Sequence, residues 1–124
     1  MSEHPSVLVV EDDGLIALHL TEMLDHAGYT VLGTEYSGEN ALARLQTLPL
    51  PDVILMDIAL DGGIDGIETA RRLRTVYDIP IIFLTACSNQ TRIAELKEIA
   101  SCQFILKPCF EQEIIAAIDN AVKI

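Results

Sequence analysis

A few polar residues in this chain stand directly behind apolar runs, and their types suit one chemistry. Val7-Leu8-Val9-Val10 leads into Glu11-Asp12-Asp13. Val53-Ile54-Leu55-Met56 leads into Asp57. Ile81-Ile82-Phe83-Leu84 leads into Thr85, and Phe104-Ile105-Leu106 into Lys107. Carboxylates brought close together repel, so their charge must be met by protonation or by a cation. Hard acidic oxygens beside a flexible loop suit Mg²⁺, which keeps several waters and takes one or two carboxylates plus phosphate oxygens. Lys107 adds a point charge and Thr85 a hydroxyl donor. Together they could meet the oxygens of a phosphoryl group while Asp57 attacks in line. A carboxylate nucleophile that becomes an aspartyl phosphate is the expected outcome.

These residues can act together only if the chain brings the ends of its apolar runs to one edge. Ser6 to Val10 reads as a buried first strand. Leu15, Ile16, Leu18, Leu20, Met23 and Leu24 recur at roughly helical spacing from Leu15 to His26, and Ala27-Gly28 stops that helix. Tyr29 to Thr34 is a second strand. Ser37 caps a second helix carrying Asn40, Ala41, Leu42, Leu45 and Leu48. Leu48-Pro49-Leu50-Pro51 is a stiff connector into the third strand, Val53 to Asp57, which is apolar enough to be buried on both faces. A glycine-rich loop, Asp61 to Gly66, precedes a helix from about Ile67 to Val76 that carries Arg71, Arg72 and Arg74. Pro80 to Leu84 is a fourth strand ending in Thr85. Ser88 or Asn89 caps a fourth helix that runs to about Ile99. Gln103 to Leu106 is the fifth strand. Glu111 to Val122 is the last helix, with Ile114, Ile115, Ile118 and Val122 facing in.

Strand and helix therefore alternate five times. Parallel strands need right-handed crossovers, so the expected fold is α/β: a five-stranded parallel sheet with helices on both faces. The order 2-1-3-4-5 of flavodoxin-like doubly wound (βα)5 domains suits this number of strands, and ligands in such folds bind at the carboxyl edge. Strands one and three then flank the switch point and bring Glu11-Asp12-Asp13 and Asp57 to one edge.

The bulk properties narrow the function. A chain of 124 residues that is half hydrophobic supports one domain with its own core, expected over 1–124 with no output domain. A formal net charge of −11 argues against direct nucleic-acid binding and favours a cation or a protein partner. The apolar runs are far short of a membrane span, and the start carries no secretory pattern. Cys87, Cys102 and Cys109 form no CxxC pair or zinc set, so free thiols in a reducing cytoplasm are expected. His4, His19 and His26 show no ligand spacing. Arg71, Arg72 and Arg74 read as a solvated face.

The motifs Val9-Val10-Glu11-Asp12-Asp13, Leu55-Met56-Asp57-Ile58 with Asp65-Gly66, Leu84-Thr85-Ala86 and Leu106-Lys107-Pro108 occur in order, each at a strand end. In this the chain resembles the receiver domains of two-component response regulators, over nearly its whole length. The resemblance implies a phosphorelay switch rather than a conventional enzyme, although it would contribute to its own phosphorylation and dephosphorylation. Asp57 would accept phosphoryl from a sensor histidine kinase or phosphotransfer protein and become 4-aspartylphosphate. Asp12 would bind Mg²⁺ directly, Glu11 through water, and the Ala59 carbonyl would complete the shell with Asp57. Thr85 and Lys107 would contact the phosphoryl oxygens, and Lys107-Pro108 would be cis. Thr85 and Phe104 would be the switch pair. The face made by helix four, strand five and helix five would meet a downstream effector, an output domain or a second copy of the chain.

Some positions depart from the family pattern. The spacing from Asp57 to Asp65-Gly66 is one residue longer than the commonest, and Asp61 stands where proline is frequent. Ala59 and Cys87 occupy positions that tune phosphoryl lifetime. Neither offers an amide or carboxylate to orient water, so a lifetime at the slower end is expected. Ala100-Ser101 replaces a Gly-Ala turn. Cys109 replaces a frequent phenylalanine, whose packing Phe110 is expected to take over. Two other function classes stay open. One is a receiver-like docking module that does not accept phosphoryl, which Mg²⁺ binding would distinguish. The other is an enzyme or flavin carrier on the same fold. The acids after strand one would repel a flavin phosphate, and position 59 lacks the second Asp that a phosphatase would use.

Overall fold

The computed structural model describes residues 5–60, 63–86 and 90–122 of the chain. Five strands alternate with five helices: β1 Ser6–Val10, α1 Gly14–His26, β2 Thr30–Glu35, α2 Gly38–Arg44, β3 Val53–Asp57, α3 Gly66–Arg74, β4 Ile81–Thr85, α4 Gln90–Lys97, β5 Cys102–Leu106 and α5 Glu111–Val122. The strands form one parallel sheet in the order β2-β1-β3-β4-β5, the expected fold.

Side chains on a strand alternate between its faces, so each apolar run supplies two layers. Leu8, Val10, Ile54, Met56, Ile81 and Phe83 face one side, where Ala41, Ile67, Ala70, Leu73 and Leu96 of α2, α3 and α4 cover them. Val7, Val9, Val53, Leu55, Ile82 and Leu84 face the other, under Leu20, Met23 and Leu24 of α1 and Ile114, Ala117 and Ile118 of α5. This explains why β1, β3 and β4 read as unbroken apolar runs. Tyr29 joins the second layer, and its buried hydroxyl donates to Asp119 of α5.

The helix ends follow local chemistry. Asp13 caps α1, accepting from the N–H groups of Leu15 at 2.9 Å and Ile16 at 3.2 Å. Gly28, at φ 94°, ends the same helix in a region that glycine occupies without steric cost. Ser37 caps α2 as expected, accepting from Asn40. Asp65 caps α3 by accepting from Glu68 at 2.9 Å. The proposed caps of α4, Ser88 and Asn89, and the lifetime position Cys87 lie outside the described residues.

Three local expectations need correcting. α2 stops at Arg44, so Leu48 is not on it and stands exposed. Arg44 instead clamps the following connector, donating to the carbonyls of Thr47 and Pro49. Leu15, Ile16 and Leu18 belong to the α1 periodicity yet face solvent, Leu15 being 81% exposed; α1 buries Ala17, Leu20, Met23 and Leu24. Phe110 does not take over the packing of Cys109. It is 76% exposed, and its N–H donates to Glu113 in the first turn of α5. Cys109 itself packs against the second layer.

Candidate functional site

The register of the sheet assembles the site. Val10 of β1 pairs with Met56 of β3, so Glu11 and Asp57 are next in line on neighbouring strands. The Glu11 side chain turns inward and is only 3% exposed. Its backbone N–H donates to the Glu35 carbonyl, and its Oε2 accepts from the N–H of Asp13 at 3.1 Å. Asp12 and Asp57 are half-buried beside it. One carboxylate oxygen from each of Glu11, Asp12 and Asp57 lies within 4.8 Å of the others.

Lys107 follows β5. Its N–H donates to the Thr85 carbonyl at 2.7 Å, fixing the lysine against the end of β4. Its Nζ then reaches to 3.8 Å from Glu11 Oε1. Thr85, the last residue of β4, is buried at the same edge, paired with Leu106. The Lys107–Pro108 peptide is cis. Phe104 lies lower on β5, paired with Phe83 and half-buried. It lines a hollow of about 260 Å³ with Leu96, Lys97, Cys102 and Gln103.

Behind Asp57 the backbone is crowded. The Ala59 N–H donates to Asp57 Oδ1 at 3.2 Å, and the Gly66 N–H to the Ile58 carbonyl at 2.8 Å. A Cβ on Gly66 would lie 2.2 Å from the Asp57 carbonyl oxygen and 2.8 Å from Ile58 Cα. Only glycine fits there, which gives Asp65-Gly66 its place in the motif.

The electrostatics of the cluster are unbalanced. Burial, above all, pushes the Glu11 carboxyl up to about 7. The Asp57 charge and a hydrogen bond with Asp12 push the same way, against the Asp13 N–H and Lys107. Among the described residues these three acids have one ammonium nearby, that of Lys107, and a buried carboxyl resists ionising among them. An all-oxygen set short of positive charge fits a hard divalent cation. Glu11, Asp12 and Asp57 could hold it, and Lys107 and Thr85 stand at the same edge.

The sequence-predicted residues thus meet at one edge, with Phe104 set apart on β5. Asp13 does not join its two neighbours, because its carboxylate is committed to capping α1. The cap is signalled by an Asp placed just before the helical periodicity. Asp65 as the cap of α3 carries the same signal. Its partner Arg92 carries none, because an ion pair across that distance in sequence leaves no local pattern.

Comparison with known proteins agrees with this geometry. Residues 7–119 match the family model of the response regulator receiver domain. The transcriptional regulatory protein PdtaR of Mycobacterium tuberculosis is 33% identical over 116 residues, which cover 94% of this chain and 56% of PdtaR. The response regulator GacA of Pseudomonas syringae is 35% identical over 114 residues, covering 90% and 52%. The chain spans about half the length of the curated relatives it matches. Among solved structures, the signal receiver domain of a modulated diguanylate cyclase from Desulfovibrio desulfuricans superposes with a TM-score of 0.88 at 36% identity, covering 97% of this chain and 94% of that one. The family match over most of the chain, the sheet order and the acidic cluster at its carboxyl edge agree: the chain belongs to the response regulator receiver domain family.

Proposed function

We propose that this chain forms a single receiver domain that works as a phosphorelay switch, with Asp57 as phosphoacceptor. The observation that carries the reading is the convergence of Glu11, Asp12 and Asp57 within 4.8 Å, with Lys107 3.8 Å from Glu11. An Asp57 Oδ attacks the phosphorus of a phosphohistidine on a sensor kinase or phosphotransfer protein. The new O–P bond forms as the P–N bond breaks, and the electron pair returns to the imidazole. The Lys107 ammonium and the Thr85 hydroxyl meet the phosphoryl oxygens. Asp12, Asp57, the Ala59 carbonyl and, through water, Glu11 would hold Mg²⁺. When bound, that ion offsets the charge gathered on acids and phosphoryl oxygens.

Exposed Leu15, Ile16 and Leu18 at the start of α1 border this edge and support docking of the donor there. The hollow beside Phe104 supports a movable ring on the α4–β5–α5 face, where an effector, an output domain or a second copy would bind. A cytoplasmic site of action fits such a partner, and no helix among the described residues is long and apolar enough to cross a membrane. The test is intact-mass spectrometry after incubation with Mg²⁺ and acetyl phosphate, on wild type and Asp57→Asn. One added phosphoryl group is expected in the wild type alone, and only with metal. No adduct together with no Mg²⁺ binding would favour a docking module that does not accept phosphoryl.

A further inference from the structure

α4 is lightly anchored for an element of the output face. Leu96 is its one buried residue, whereas α3 buries Ile67, Thr69, Ala70 and Leu73. Among the described residues, ion pairs to α3 also hold α4. Arg92, in the first turn of α4, pairs with Asp65. Arg92 also lies 3.4 Å from Glu95, and Glu95 takes Arg71 of α3 at 3.0 Å. Arg71 lies 4.0 Å from Glu68, whose N–H donates to Asp65. The contacts close into a ring through Asp65, Arg92, Glu95, Arg71 and Glu68.

One corner of this ring touches the phosphoacceptor strand. Asp65 precedes Gly66, which leaves no room for a Cβ beside the Asp57 carbonyl and whose N–H donates to the Ile58 carbonyl. Gly66 thus joins the chain behind Asp57 to Asp65, and Asp65 pairs with Arg92. Against burial, which alone would raise it, the Glu68 N–H and the Arg92 guanidinium hold the Asp65 carboxyl below the usual carboxylate range. The side chains of Asp65, Arg92 and Glu95 are each about one-third exposed or less, so solvent screens these contacts only in part, and more so those of Arg71 and Glu68 at 46% and 41% exposed.

We propose that the Arg92–Asp65 pair, closed into a ring by Glu95, Arg71 and Glu68, is a latch that fixes α4 against the start of α3 in the unphosphorylated protein. It yields when Asp57 is phosphorylated, and this second half rests on the phosphoacceptor reading above. An equilibrium between latched and released α4 is shifted by whatever favours one state over the other. Removing the latch therefore loosens α4 and makes the released state easier to reach.

The test uses the full chain with Arg92→Gln, Asp65→Asn and the double variant. Asn keeps the helix cap while removing the charge. Hydrogen exchange without metal should show the α4 amides exchanging about two- to tenfold faster in each single variant, with the sheet unchanged. The double variant should be no faster than Arg92→Gln, which already loses the contacts to both Asp65 and Glu95. Unchanged α4 exchange, or losses that add, would overturn the latch. Binding of beryllofluoride with Mg²⁺, a phosphoryl mimic, should be about two- to fivefold tighter in Arg92→Gln than in wild type. Equal affinities would overturn the coupling. No binding by either protein would overturn the phosphoacceptor reading and the coupling with it, while the exchange comparison decides the latch by itself.

Discussion

Replacing Glu11 by Gln should stabilise the metal-free protein at alkaline pH, although it removes a residue of the candidate cation site. Burial pushes the Glu11 carboxyl from the ordinary 4.5 up to about 7. A carboxyl raised in this way keeps its proton in the folded state over a range where the unfolded chain has lost it. Its contribution to stability is therefore whole below about 4.5 and is lost as pH rises through about 7. At ~1.4 kcal/mol per pH unit, the loss amounts to about 3 kcal/mol by pH 8. Gln bears no charge, and its carbonyl oxygen can still accept from the Asp13 N–H, so Glu11→Gln escapes the loss.

Urea denaturation with chelator present, from pH 4 to pH 8, measures the difference between the two proteins. It should be near zero at the acid end and grow to about 3 kcal/mol in favour of Gln, roughly 10 °C in Tm for a domain of this size. Mg²⁺ should narrow that gap. At about a hundred times its Kd a ligand adds ~2.7 kcal/mol to the protein that binds it, and the wild type should gain more than the Gln variant. A difference that stays flat with pH, or a wild type more stable than Glu11→Gln at pH 8 without metal, would refute the account of the buried acid.

Other perturbations probe other parts of the argument. Gly66→Ala places a methyl against the Asp57 carbonyl and Ile58 Cα, backbone atoms that cannot swing away. It should cost about 2–3 kcal/mol in urea denaturation, and a loss below about 0.5 kcal/mol would show that the loop relaxes freely. Ser101 sits at φ 59°, a left-handed conformation that costs a non-glycine residue about 1 kcal/mol. Ser101→Gly should therefore stabilise by about 0.5 kcal/mol after the flexibility it adds to the unfolded chain, and a fall in Tm would mean that the Ser101–Asp78 hydrogen bond of 3.2 Å matters more. Ala59 is exposed and presents no amide or carboxylate to attacking water, so the phosphoryl group on Asp57 should persist for minutes or longer by intact mass. A half-life of seconds would sink that expectation.

Where a signal is local, the sequence carries it. The five strands, their order and the polar residues behind them are all legible as apolar runs that stop at a charge or a hydroxyl. Glu111–Val122 is legible as a helix to both its ends. The face a helix presents is harder. Leu15 and Leu18 are as apolar as Leu20 and Leu24, yet they stand exposed beside buried Ala17, and hydrophobicity alone does not say which face of α1 meets the sheet. The arginines mislead for a different reason. Arg71 and Arg72 do lie on an exposed face, but both are paired with Glu68. Arg74 folds back instead, to the Tyr77 carbonyl and within 3.7 Å of the Cys102 sulfur. The Glu68 pairs have helical spacing and are legible; the approach to Cys102 is not, because that partner comes from another element.

Glu11, Asp12 and Asp13 put this limit in its sharpest form. They are adjacent and almost identical in chemistry, yet each meets a different fate. Glu11 is the first residue past β1, and with both its N–H and its carboxylate committed it is held inside the edge of the sheet. Asp13 is the last residue before α1, and the unsatisfied N–H groups of that helix claim its carboxylate. Asp12, between strand and helix, stays half-buried beside Glu11 and Asp57. The same turn thus buries one acid, spends another on the helix and sets the third beside Asp57. Residue type says that a cation belongs here. The junction of strand and helix decides which acids would share it.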